Sequence, residues 1–405
     1  MLKIRSITYF LNPEWPLNES TLAAAGKFLA AAHPAYENTG YEVQTARLAT
    51  IPFPQICPTA ETVEMAQAFE AAAAQQGYTY VALGPALPEL PESYTVIPDV
   101  LAATENTFFS AVMATKENGI SLPAVRACAD VIQRAAPLDP NGFANLYFTA
   151  LANVPAGSPF FPASYHHGEQ PVFAIATEAA GLAVAAFRGA SSLNDGVARL
   201  VATIEEHGAR LAAVGEQLEQ ATGVPFNGID ISLAPFPAED SSLGTALECL
   251  GIPRAGLHGS LAAAAILADA VDKAQFKRIG FNGLLLPPLE DFTLAKRAAE
   301  GTLAVTDLLM YSAVCGTGLD TIPLPGDVSA EQLSALLLDL AALAVRLDKP
   351  LTARLMPIPG KQAGDMTSFD FAFFANSRVL GLKAEALDGF FAGDEQIKIG
   401  TRTRK

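Results

Sequence analysis

The chain has 405 residues, of which 50% are hydrophobic and only 17% charged, with a formal net charge of −16. So much apolar material over so little charge implies one very large core, with part of each subunit covered in a homodimer or higher homo-oligomer. The excess of acid excludes nucleic acid and anionic membrane surfaces as partners, because both are held by clustered Lys and Arg.

No stretch reads as a leader or a membrane span. The N-terminal "MLKIRSITYFLNPEWP" has early basic residues, but its apolar run is broken by Asn12 and Pro13. The most apolar run, "LSALLLDLAALAVRL", contains Asp339 and is too short for a bilayer. Cys57, Cys128, Cys249 and Cys315 are far apart and form no CxxC, so free thiols in a cytoplasmic protein are expected and cysteine-built zinc is not.

Taken in chain order, short β-rich runs alternate with longer Ala/Leu-rich helical patterns. "TYVALGP" (79–85) reads as a strand, with "ENTFFSAVMAT" (105–115) as the helical run after it. "GVPFNGIDISLAP" (223–235) leads into a helix at "SSLGTALECLG" (241–251), and "KRIGFNGLLLPPLED" (277–291) leads into "FTLAKRAAEGTLAV". "LMYSAV" reads as a strand with Cys315 at its tip. "GLDTIPLPGD" is the next strand, followed by a helix over 329–347 whose Ser329 and Gln332 have capping-box spacing. "PLTARLMPIPG" (350–360) is the last strand. Repeated strand–loop–helix units imply a mainly parallel sheet with helices outside it, and no flexible linker divides the chain. The expectation is a single α/β barrel domain over 1–405.

In parallel α/β architectures chemistry gathers on the loops at the carboxyl ends of strands. The loop at 150–169 carries Asn153, Ser158, Tyr165, His166 and His167, and imidazole titrates near neutrality. Adjacent histidines on an extended chain point to opposite faces, so at most one would face a site. In "DISLAPFPAED" Asp230 and Ser232 share one strand face, and Glu239 and Asp240 open the next helix, where a carboxylate also serves as a plain cap. Glu239, Asp240 and Asp327 are candidate oxygen ligands for Mg²⁺, Mn²⁺ or Ca²⁺, although their spacing matches no stereotyped metal loop.

His258 stands before an Ala-rich helix, either meeting an anion beside free backbone N–H groups or simply turning the chain. Arg354 and Lys361 are the cations suited to a carboxylate or phosphate. "GTG" at 316–318 lacks the third glycine of a dinucleotide fingerprint, and "PGKQ" is not a phosphate loop. Cys315 is either a small buried hydrophobe or a partly accessible thiol at a strand tip.

The segments "ALANVPAGSPFFPASYH", "DISLAPFPAEDSS", "FNGLLLPPLED", "SAVCGTGLDTIPLPGD" and "PIPGKQAGD" together resemble an uncharacterised bacterial and archaeal family, the domain-of-unknown-function 711 family. The resemblance runs from "IRSITYFLN" to about Asp365, and the 366–405 tail departs from it. It implies a ten-stranded α/β barrel like that of the pyruvate formate-lyase type of glycyl-radical enzymes, and it implies no reaction. Those enzymes use a barrel cysteine and a C-terminal glycine. Here Cys315 and Gly381 in "SRVLGLKA" would fill the two roles, with Leu382 standing where an aromatic residue is usual.

The function expected from the sequence is a non-radical enzyme acting on a small polar or anionic metabolite at one barrel mouth. His166, Asp230, His258 and Cys315 would do the chemistry, a histidine or Asp230 acting as general base. Asn153, Ser158, Tyr165, Ser232, Arg354 and Lys361 would contact the substrate. The alternative is a barrel that binds a small ligand or regulates a partner without turnover. Strongly perturbed titratable groups at the site would favour the enzyme.

Overall fold

Eleven short runs rich in β-branched, aromatic and small apolar residues form one sheet in the computed structural model, which describes residues 2–402. They are β1 (Lys3–Leu11), β2 (Ala46–Thr50), β3 (Tyr80–Ala86), β4 (Thr107–Thr115), β5 (Gly119–Ser121), β6 (Phe148–Ala152), β7 (Val172–Glu178), β8 (Phe226–Asp230), β9 (Gly318–Pro325), β10 (Leu351–Ile358) and β11 (Gln396–Ile397). The order is β8-β7-β1-β2-β3-β4-β6-β10-β9, with β5 and β11 as a small side ladder on β4.

The sheet has two directions. β1, β2, β3, β4 and β6 are mutually parallel. β7 with β8 and β9 with β10 are parallel pairs, but β7 meets β1 and β10 meets β6 antiparallel. β1, β2, β3, β4 and β6 therefore run opposite to β7, β8, β9 and β10, so the carboxyl ends of the two sets lie at opposite ends of the sheet. A mainly parallel sheet with all post-strand loops at one mouth is not what forms.

Nor do the ladders close into ten strands. β8 and β9 remain as edges, and residues 278–286 lie beside both. Single parallel bridges join Ile229 to Arg278 and Leu233 to Leu284. On the other side Thr317 Oγ1 donates to the Leu284 carbonyl at 2.8 Å. A Cβ on Gly283 would stand 2.4 Å from Gly316 Cα, so this approach requires glycine. Positive φ values at Gly280 (80°) and Asn282 (48°) keep the segment from pairing as a regular strand.

Period-two alternation separates the two faces. Ile7 and Tyr9, Leu48, Val81 and Leu83, Phe109 and Ala111 enter the large apolar layer under the helices. Phe10, Ala49, Ala82, Phe108 and Ala174 point the other way and join Phe161 in an inner cluster. Small alanines leave space on this inner face. The loop from 153 to 171 fills part of it: His166 N–H donates to the Thr50 carbonyl at 2.8 Å, and the Phe161 ring lies 5.4 Å from that of Phe108.

Several elements fall where the pattern put them, including helix Ala330–Leu347 with its Ser329–Gln332 capping box. Two do not. Residues 105–115 contain β4, because Phe109, Ala111 and Met113 alternate into the helix layer rather than following a helical stripe. "LMYSAV" is no strand: helix Val305–Tyr311 buries Val305, Leu308 and Tyr311 at helical spacing, and Asp307 accepts from the Ala304 N–H at its start. Among the described residues no helix is long and apolar enough to cross a membrane.

Candidate active site

The inner face carries a cavity of about 100 Å³. Because the two halves run oppositely, it is lined by the amino ends of first-half strands (Arg5, Arg47, Tyr80, Phe108) and by second-half residues Thr177, Asp230 and Arg354. Phe160 and Phe161 reach it from the far side on the 153–171 loop.

Charges dominate its chemistry. Arg354 Nη2 lies 2.9 Å from Glu290 Oε1, and its Nε lies 2.5 Å from Asp320 Oδ1. Arg5 pairs with Glu178 at 3.2 Å and with Glu290 Oε2 at 3.3 Å. Gln44 Nε2 adds a 2.8 Å bond to Glu178. Glu290 is thus clamped between two guanidiniums. Burial nevertheless raises it above the ordinary carboxylate value, with the Arg354 and Arg5 charges opposing and Asp320 reinforcing the rise. Asp320 Oδ2 is buried with no partner among the described residues.

Arg47 differs from the other two arginines. Its Nε donates to Thr45 Oγ1 at 2.9 Å, and among the described residues it makes no ion pair. Its guanidinium faces rings, 4.9 Å from the Phe161 centroid and 5.8 Å from Tyr80. Burial, then the neighbouring Arg5 charge, brings it down to about 9, so it is still cationic at neutral pH.

Asp230 is saturated. Oδ1 accepts from Ser232 Oγ at 2.5 Å, Ser232 N–H at 3.0 Å and Asn282 N–H at 3.1 Å, while Oδ2 accepts from Phe281 N–H at 2.9 Å. Ser232 Oγ also accepts from Gly283 N–H at 3.2 Å. These bonds fasten residues 280–283 to the end of β8. Burial still raises the Asp230 carboxyl above its ordinary value, the hydrogen bonds working against it.

The C-terminal stretch "TSFDFAFFANSR" crosses the cavity rim. Met366 bridges to Arg378, and Asn376 Oδ1 accepts from Phe369 N–H at 2.7 Å, closing a loop. That loop presents Phe371 and Phe373 to the cavity, and the Arg5 guanidinium stacks 4.6 Å from the Phe373 centroid.

Of the residues singled out in the sequence, Asp230, Ser232 and Arg354 meet in this cavity. The others do not. His166 is buried behind it, with Nε2 3.1 Å from the Gln170 carbonyl, and burial lowers its affinity for a proton. Asn153 holds a turn at φ 58°, accepting from Lys116 N–H. Ser158 accepts from Phe160 N–H, and Tyr165 donates to the Val154 carbonyl.

His258 and Asp327 are exposed, and Lys361 is half-buried away from the cavity. Glu239 and Asp240 are spent on a surface pair with Arg188. The three candidate cation ligands therefore do not converge, and among the described residues no group of three or more His, Cys, Asp or Glu could hold a metal ion. Cys315 is 1% exposed and packs in the layer under the helices, so it is not an accessible thiol. Gly381 lines a separate surface groove with Lys383, so neither partner of the glycyl-radical analogy faces the cavity.

The common reason is strand direction: loops expected at one mouth are divided between two ends and two faces. Arg5, Arg47, Glu178, Glu290 and Asp320 went unnoticed in the sequence. For all but Glu290, which lies in a turn, the signal is a charge inside an otherwise apolar strand, as in "KIRSITYFL", "ARLAT" and "GLDTIPLP", where a buried charge needs a partner.

Comparison with known proteins gives a family model, Uncharacterised ACR (DUF711), matching residues 1–376. A UPF0210 protein of Pyrobaculum aerophilum is 39% identical over 264 residues, covering 62% of this chain and 57% of the relative. A UPF0210 protein of Pelotomaculum thermopropionicum is 32% identical over 370 residues, covering 85% and 80%. One from Pyrobaculum arsenaticum is 35% identical over 280 residues, so the chain spans about three-fifths of the length of both Pyrobaculum relatives, 57% and 61%.

Proposed function

The chain belongs to the Uncharacterised ACR (DUF711) family, a membership that brings no reaction with it, and from the cavity itself we propose a non-radical enzyme that holds a small organic anion on Arg47. The observation that carries this reading is a guanidinium inside a cavity with no carboxylate of its own. A half-buried charge left without a counter-ion costs stability, and such a cost is retained where a ligand supplies the missing partner.

Glu290 is the proton-exchanging group in this reading. It lines the cavity, its proton affinity is raised by burial, and two arginines fix its position. Asp230, with both oxygens engaged in tying down residues 280–283, positions the wall. Perturbation of Glu290, Asp230 and Arg47 around one cavity favours turnover over a purely ligand-binding or regulatory protein.

The reading takes the described chain as one domain of a cytoplasmic protein. Residues 278–286 serve as the tenth strand of a barrel like that of the pyruvate formate-lyase type, supported by their bridges to β8 and the Thr317–Leu284 bond. It also takes the protein as a homodimer or larger, supported by exposed Leu193, Leu257, Met310 and Phe390. A monomer mass in light scattering would remove that part alone.

The test of the enzyme pairs two variants. Small carboxylates and inorganic phosphate are titrated into the full chain, and solvent deuterium exchange into the carbon-bound hydrogens of each acid is followed by NMR. Arg47→Met should lose binding, and Glu290→Gln should keep binding and lose exchange. Unchanged binding in Arg47→Met would sink the reading.

A further inference from the structure

We infer that the anion taken by Arg47 is a monocarboxylate on a flat apolar body, an aryl acid or similarly planar compound. This deepens the reading above and rests on it.

Three arginines border the cavity, and each faces an aromatic ring. Arg5 lies 4.6 Å from Phe373, Arg354 lies 6.0 Å from Phe160, and Arg47 lies 4.9 Å from Phe161. Two of the three also hold carboxylates: Glu178 and Glu290 for Arg5, Glu290 and Asp320 for Arg354. Arg47 has the rings and lacks the carboxylate, so an incoming carboxylate completes the same arrangement a third time.

The charge count selects a monoanion. One uncommitted guanidinium matches one negative charge. A phosphate dianion would bring a second charge into a cavity whose surroundings already hold Glu178, Glu290 and Asp320, with no cation left to meet it.

The walls select the body. Phe108 stands at the centre of a ring cluster, 5.3 Å from Tyr80 at 88°, 4.7 Å from Tyr147 at 53° and 5.4 Å from Phe161 at 70°. Edge and face contacts of this kind accept another ring. The strands contribute little bulk beside them, since Ala49, Ala82 and Ala174 occupy the inner face. The resulting cavity of about 100 Å³ is of the order of the roughly 150 Å³ apolar cavity that takes a benzene molecule. Tyr80 and Tyr147 also bring phenol groups to the cavity lining that can donate to a ligand oxygen.

The experiment is calorimetric titration of the full chain with benzoate, cyclohexanecarboxylate, acetate and inorganic phosphate. Benzoate should bind at least about tenfold more tightly than acetate, the two differing by a buried ring, with cyclohexanecarboxylate between them. Phosphate should give no saturable heat. Arg47→Met should abolish benzoate binding, and Phe161→Leu, which removes a ring from both the guanidinium and the ligand body, should weaken benzoate about fivefold more than it weakens acetate. Acetate equalling benzoate, or phosphate outbinding both in an Arg47-dependent way, would overturn the planar acid and leave the anion site standing. If no anion shows Arg47-dependent binding, the planar acid and the anion site fall together.

Discussion

Arg354 and Glu290 form an ion pair at 2.9 Å with side chains only 7% and 9% exposed, and the same arginine holds the 1%-exposed Asp320. Removing one partner of a buried pair leaves a bare charge, which costs about 3–5 kcal/mol. Arg354→Met should therefore destabilise the protein by that order, with Glu290 and Asp320 both losing a counter-ion. Denaturant unfolding measures it, and a loss under about 1 kcal/mol would show that water or Arg5 compensates fully.

The raised proton affinity of Glu290 has a definite sign in pH. The folded chain keeps this proton where the unfolded chain has lost it, so the group's stabilising contribution is whole below about pH 4.3. It declines as pH rises above that value and is gone once the folded carboxyl has ionised. Glu290→Gln does not titrate, so its stability relative to wild type should improve steadily from about pH 4 upward. Parallel stability curves for the two proteins would contradict the perturbation.

Arg47→Met should unfold at the same denaturant concentration as wild type or higher, because it removes an uncompensated charge while keeping the apolar stem against Phe161. A loss above about 2 kcal/mol would mark Arg47 as a structural residue.

The four thiols should separate by burial. Cys249 is half-buried, whereas Cys57, Cys128 and Cys315 are enclosed, and burial pushes the Cys128 thiol well above its ordinary value. A thiol reagent applied to the native protein should modify Cys249 first, with mass spectrometry placing the label. Labelling of Cys315 before unfolding would contradict its packing under the helices.

Strand positions near β8, β9 and β10 were readable because continuous apolar runs end in turn residues there, and Ser329 with Gln332 announced its helix. Strand direction was not readable. A run such as "PLTARLMPIPG" is equally apolar whichever way it runs, and direction decides whether Arg354 shares an end with Asp230 or with Asn153. Asp230 and Ser232 were found because short polar groups interrupt a buried strand, and Arg354 because it stands in a local cluster of charge with Lys361 and Asp365. Arg47 obeyed the same rule but looked like an ordinary edge charge in "ARLAT" until its ring neighbours, 114 and 33 residues away in sequence at Phe161 and Tyr80, were placed around it. The aromatic loop at 366–378 was unreadable for another reason: four phenylalanines in six residues fit a core segment as well as a rim.

Arg5 bonds to Glu290 across 285 residues of chain, and to Glu178 across 173. A ribosome releases the arginine early and its second carboxylate very late. Through most of synthesis the inner surface of the first strands must stay hydrated, since closing over a lone guanidinium is costly. Drying of that interior thus waits for Glu290 and for the Arg354 of β10 that holds it, and maturation of the protein becomes a late step set by long-range closure rather than by its local helices.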